Sequence, residues 1–199
     1  MFSFVWPLAL VVVSNVVYQI CAKSMPKELN PLAALTVTYR TSNLGEKPMY
    51  YSIGSHEGYA CEGGIENFEL VFPEDEALEQ TLLSGSLIRH ETRPVSLADH
   101  VLTVKAEDFK ADALVFLNAK SRSVTLRRKD GAYGVQVDFP QCDVLLLWTK
   151  PGAPYLCIEP WCNAPDWVDS NQQLVEKPGM IRVEAGHYSD VTHTLTFLG

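Results

Sequence analysis

Glu159 stands as a lone carboxylate in the strand-like run Tyr155-Leu156-Cys157-Ile158-Glu159-Pro160-Trp161. Apolar neighbours make ionisation costly there, so the charge calls for a reason. In an extended chain alternate side chains share a face, which groups Tyr155, Cys157, Glu159 and Trp161 and sets Leu156 and Ile158 opposite. A carboxylate between two aromatic rings suits a sugar hydroxyl; the plainer alternative is a strand-end glutamate that reaches solvent or a backbone NH. His56 lies in Tyr51-Ser52-Ile53-Gly54-Ser55-His56-Glu57-Gly58-Tyr59, where small residues let the backbone bend and approach a ligand closely. A histidine in such a loop can donate a proton near neutral pH, or simply sit exposed. Together His56 and Glu159 make an acid and a base. One group can take a proton from one oxygen while the other delivers a proton to a second, which opens and recloses a cyclic hemiacetal without metal or cofactor.

Other chemistry-bearing residues carry less. Trp148, Trp161 and Trp167 offer a sugar-stacking surface, and burial in a core explains them equally well. His187 and His193 have even spacing, which puts both on one side of an extended segment; with no third ligand near, they read as surface residues rather than a metal site. There is no glycine-rich phosphate loop and no serine or cysteine in a nucleophile elbow. The five cysteines Cys21, Cys61, Cys142, Cys157 and Cys162 are odd in number and lack zinc-type spacing, so neither a disulfide framework nor a metal site is expected.

The elements that must position His56 and Glu159 are short β-type runs. Leu35–Arg40 alternates strictly, Asn43–Pro48 reads as a turn, and Phe68–Phe72 and Ser123–Arg127 read as strands. Lys129-Asp130-Gly131 links the last of these to Tyr133–Phe139, and Lys150–Pro154 links Val144–Trp148 to the Glu159 strand. A final strand spans Asp190–Phe197, and no long amphipathic helix or repeat intervenes. An all-β, antiparallel β-sandwich follows. With 199 residues, 47% of them hydrophobic, the chain can bury a real core, and a net charge of −8 argues against a nucleic-acid surface. The basic cluster Arg127-Arg128-Lys129 runs into a turn and reads as a solvated hairpin end.

Residues 1–34 differ in texture. No charged side chain occurs from Met1 to Ala22, and the apolar run is long enough for one membrane-spanning helix through residues 2–22. Lys23 and Lys27 follow it and no Lys or Arg precedes it, which places the C-terminal side in the cytoplasm. Ser14-Asn15-Val16-Val17-Tyr18-Gln19-Ile20-Cys21-Ala22-Lys23 with Asn30-Pro31 resembles the first helix of EamA-type drug/metabolite transporters. One helix cannot build a transport path, so transport is rejected.

From residue 35 onward four segments carry a second likeness: Leu35–Arg40, Ser52-Ile53-Gly54-Ser55-His56, Tyr155–Trp161 and Pro178-Gly179-Met180-Ile181-Arg182-Val183. In combination and order they resemble the aldose 1-epimerase (galactose mutarotase) family, in its LacX-type branch. The resemblance implies that Glu159 is the general base on the anomeric hydroxyl and His56 the general acid on the ring oxygen. It implies that Asp112, in Phe109–Phe116, binds sugar hydroxyls, a turn aspartate before a strand being the alternative; Trp161, from the stacking surface above, is a further candidate substrate contact. The substrate class is then a small-molecule sugar, an aldohexose or derivative, and no cofactor is required.

The resemblance also implies departures. Family members carry strands before the histidine loop, with an arginine and another histidine that bind sugar, and residues 1–35 hold neither residue type. The galactose mutarotase-like sandwich is therefore expected to be incomplete and preceded by one hydrophobic helix, with a homo-oligomer as one way to cover an exposed sheet edge. The family's Gly-His-Pro is Ser55-His56-Glu57 here. The expected function is an isomerase that interconverts α and β anomers; the alternatives are a non-catalytic carbohydrate-binding module and a non-functional fusion product.

Overall fold

The structure is a computed structural model that describes residues 33–199. The expected hydrophobic helix, its EamA-like motif and its membrane attachment lie outside the described residues. Among the described residues no helix is long and apolar enough to cross a membrane.

Alternating and apolar runs become strands β1 (Ala34–Ser42), β2 (Met49–Tyr51), β3 (Glu57–Ala60), β4 (Phe68–Val71), β5 (Leu78–Ser84), β6 (Leu87–Val95), β7 (Val101–Leu102), β8 (Leu114–Phe116), β9 (Ser123–Arg128), β10 (Gly134–Asp138), β11 (Val144–Trp148), β12 (Tyr155–Trp161), β13 (Ile181–Val183) and β14 (Tyr188–Leu198). One six-stranded sheet runs β1-β14-β10-β9-β4-β7 and the other β3-β12-β11-β8-β5-β6, with β13 and β2 as a separate pair. The paired strands are antiparallel throughout. The all-β sandwich expected from the sequence is the architecture observed.

The core fills the space between the two sheets. Leu70, Val124, Leu126, Val137, Val191 and Leu195 come from the first sheet and meet Leu78, Phe116, Leu145, Leu147, Leu156 and Ile158 from the second. The second sheet is covered on its other face as well. Ile88, Val115, Val144 and Leu146 form a smaller cluster there, joined by Leu83, Trp161 and Trp167. Double coverage explains why Val144-Leu145-Leu146-Leu147-Trp148 is a continuous apolar run, since each of its faces needs an apolar side chain.

One hairpin went unread in the sequence and one expectation is corrected. Residues 78–95, not read as strands, form the hairpin β5–β6, with a register shift between Thr81 and Leu83. His187 and His193 do not share a surface. His187 precedes β14, is exposed and has its ring against the Ala185 carbonyl. His193 is buried at 3% exposure, because β14 lies between β1 and β10 and its Val191, His193 and Leu195 face inward.

Candidate active site

The site is built on the outer face of the second sheet, away from the main core. The alternation expected for β12 holds: Leu156 and Ile158 enter the core between the sheets, and Glu159 and Trp161 line a cavity on the opposite face. Register carries the floor across neighbouring strands, since Leu146 of β11 lies opposite both Glu159 of β12 and Val115 of β8. Leu146, Val115, Ala113 and Trp148 line that cavity with His56, Asp112 and Trp161, around a volume of about 290 Å³.

His56 reaches Glu159 because its loop is stitched to β12. Glu57 of β3 pairs opposite Ile158, and three residues earlier Gly54 makes a bridge to Trp161. The Ser55 NH donates to the Pro160 carbonyl at 3.0 Å, the Cys162 NH donates to the Ile53 carbonyl at 2.8 Å, and the Trp161 indole NH donates to the Ser55 carbonyl at 3.1 Å. Gly54 is required by this close approach: a Cβ there would run into the Trp161 ring. The result sets His56 Nδ1 3.3 Å from Glu159 Oε1. The imidazole edge meets the Trp148 ring at a centroid distance of 6.1 Å, which limits how far it can swing.

The two groups differ in environment. Glu159 is 2% exposed, whereas the His56 side chain is 60% exposed. Burial pushes the Glu159 carboxyl up to about 7, helped by the negative charges of Glu57 and Asp112. A carboxyl titrating there exchanges protons readily in neutral solution, the property a general base needs.

The sequence-predicted residues Glu159, His56, Asp112 and Trp161 thus meet at one cavity. Asp112 is exposed at its rim, where its carboxylate accepts from the Ala113 NH at 2.8 Å. Trp148 and Trp161 line the cavity, while Trp167 stacks on His90 at a centroid distance of 4.6 Å. Cys157 places its sulfur close to His56 and Glu159.

Sequence reasoning missed the role of the sandwich interior. Glu57 does not stand beside His56 on the cavity face. Its pairing opposite Ile158 turns it inward, to 8% exposure, with its carboxylate 3.8 Å from His193 Nε2. Tyr39 completes the polar group, its ring 5.7 Å from that of His193. Burial raises the Glu57 carboxyl and lowers the His193 imidazole, so both are driven toward their neutral forms. The available signal was the alternation itself, which puts residues 56 and 57 on opposite faces.

No family model matches the chain. The chain is 30% identical over 193 residues to the LacX proteins, chromosomal and plasmid, of Lactococcus lactis subsp. lactis; the match takes in 92% of this chain and 61% of those proteins. It therefore spans less than two thirds of the length of the curated relatives it matches. Its fold is shared with a galactose mutarotase related enzyme from Lactobacillus acidophilus, at a TM-score of 0.73 and 21% identity over 83% of this chain and 58% of that one. It is also shared with a candidate aldose 1-epimerase from Escherichia coli K12, at a TM-score of 0.59 and 16% identity over 82% of this chain and 56% of that one. None of these comparisons supports the EamA-type likeness of residues 1–35. The chain is thus similar in sequence to the LacX proteins and shares the galactose mutarotase-like fold, a likeness that supports the aldose 1-epimerase (galactose mutarotase) family.

Proposed function

We propose that the chain is an aldose 1-epimerase-like isomerase that interconverts the α and β anomers of a free sugar by acid–base ring opening. The observation that carries this reading is the 3.3 Å approach of an exposed imidazole to a buried carboxylate at the floor of a cavity with aromatic walls. The two oxygens that must exchange protons, the anomeric hydroxyl and the ring oxygen, are bonded to the same carbon. An acid and a base serving them must stand side by side, and these do.

In this reading ionised Glu159 takes the proton from the anomeric hydroxyl as the C1–O double bond forms. The electron pair of the C1–ring-oxygen bond passes to the ring oxygen, which takes a proton from His56. Rotation about the bond between C1 and C2 presents the other carbonyl face, and the reversed transfers close the ring. Asp112 at the rim accepts hydrogen bonds from sugar hydroxyls, and Trp161 with Trp148 supplies flat apolar surface for the sugar's C–H face.

A carbohydrate-binding module without turnover is the second reading, favoured by one observation: the chain spans 61% of its LacX relatives, so a whole mutarotase site is not assured by the match. Association with a membrane or through a sheet edge draws no support from the described residues. Anomer interconversion of fresh α-glucose and α-galactose, followed by NMR with the full chain, separates the readings. The isomerase accelerates it, and Glu159→Gln loses at least about 100-fold while retaining binding, because the amide keeps the shape but cannot accept the proton. A folded chain that binds sugar without acceleration is the binding module.

A further inference from the structure

Cys157 is the one member of the site that sugar chemistry leaves unused. It is held on the same face of β12 as Glu159, between Trp148 of β11 and Gly58 of β3 in the register of the sheet. It is 4% exposed. His56 Nδ1, Cys157 Sγ and a Glu159 carboxylate oxygen all lie within 4.8 Å of one another. One imidazole, one thiolate and one carboxylate are each ordinary zinc ligands, and three protein ligands with an open fourth position is the pattern of an accessible zinc centre.

The spacing suits that geometry. Tetrahedral bonds of about 2.0–2.3 Å imply ligand atoms roughly 3.3–3.8 Å apart. The separation of His56 Nδ1 and Glu159 Oε1 is already 3.3 Å. The sulfur, within 4.8 Å of both, needs a contraction of about an ångström, which side-chain rotation of Cys157 and Glu159 on β12 and a small shift of the exposed imidazole supply. The adjoining cavity leaves the fourth position open to water or a sugar hydroxyl. A thiolate, a carboxylate and a divalent cation sum to zero charge, which removes the penalty of leaving anions on a buried face.

We propose that His56, Cys157 and Glu159 form a three-ligand site for a zinc-class divalent cation, and that filling it switches off the acid–base pair. The cation takes the Nδ1 and carboxylate lone pairs that proton transfer needs, and the Cys157 thiol releases its proton to solvent as sulfur binds. The inference stands on the ligand geometry and does not require that the chain turns over sugar.

Titration of the full, reduced and chelator-treated chain with Co2+ tests it. A sulfur-to-cobalt charge-transfer absorption is expected to rise, to be abolished by Zn2+, and to be lost in Cys157→Ala, with Zn2+ affinity falling at least about tenfold in that variant. No such absorption, or one of unchanged intensity in Cys157→Ala, overturns the site. In a wild-type chain that interconverts anomers, Zn2+ is expected to slow conversion over the concentration range that displaces cobalt. Conversion unaffected by saturating Zn2+ overturns the switch. A chain that gives the cobalt signal and converts no sugar refutes the proposed isomerase and leaves the metal site standing.

Discussion

Glu159 pairs a carboxylate with a position that resists its ionisation, which bears on stability and on the proposed activity. Its carboxyl sits at about 7 rather than the usual 4.5, first through burial and then through Glu57 and Asp112. In the proposed isomerase Glu159 must be ionised to act as base, so metal-free turnover is expected to fall on the acid side with a midpoint about pH 7, read from NMR rates across buffers. Glu57→Gln removes one neighbouring charge and should move that midpoint to lower pH; an unmoved midpoint would show that Glu57 is already neutral when Glu159 titrates. Stability runs in the opposite sense. Below the unfolded value both states hold the proton and nothing is lost. Between that value and about 7 the unfolded chain ionises first, so stability declines as pH rises, and above about 7 the native state carries the full penalty. The shift corresponds to on the order of 3 kcal/mol. Glu159→Gln is thus expected to unfold at a higher temperature than wild type near pH 8, with the gap closing toward pH 4, in thermal melts followed by circular dichroism. Glu159 and His56 were legible because an isolated charge in an apolar strand and a histidine among small residues are local signals. Glu57 and His193 were not, because their burial arises where β3 and β14, remote in sequence, face each other across the core.

At the scale of the element, the distance between His56 and Glu159 is set by backbone pairing rather than by the two side chains. The bridge from Gly54 to Trp161 and the hydrogen bonds on either side of it lock the histidine loop to β12. Gly54→Ala places a methyl group against the Trp161 ring, so either the indole or the loop must shift. We expect a loss of about 1–3 kcal/mol in urea unfolding from overpacking, and a fall of about 100-fold in anomer conversion if His56 moves by an ångström. A folded variant with unchanged conversion would mean that the loop is not what positions His56. The strands forming this arrangement show their pattern plainly in sequence, because β12 and β11 are interior strands with demanding faces. The hairpin β5–β6 was hidden for the converse reason. β6 is an edge strand whose Arg89, His90, Glu91, Thr92 and Arg93 are exposed and which tolerates Pro94, so little apolar alternation survives to be read.

For the whole molecule, the question is where the folding unit begins. β1 is the outer strand of the first sheet and pairs with β14 over all nine of its residues, from Ala34 opposite Thr196 to Ser42 opposite Tyr188. Without it β14 becomes the edge, Tyr39 is lost, and the side of His193 that its ring covers opens. β14 is the longest strand and carries Val191 and Leu195 into the shared core, so losing its partner strains the unit to which the second sheet, and with it the site, is packed. Residues 34–199 contain that pairing and both layers of the core. Removal of residues 1–32 is therefore expected to preserve a single cooperative thermal transition and resistance to proteolysis, whereas removal of residues 1–42 abolishes both. Equal behaviour of the two truncations would show that β1 is dispensable. Loss of folding on removal of residues 1–32 alone would place essential core contacts in that stretch and move the start of the folding unit upstream of residue 33.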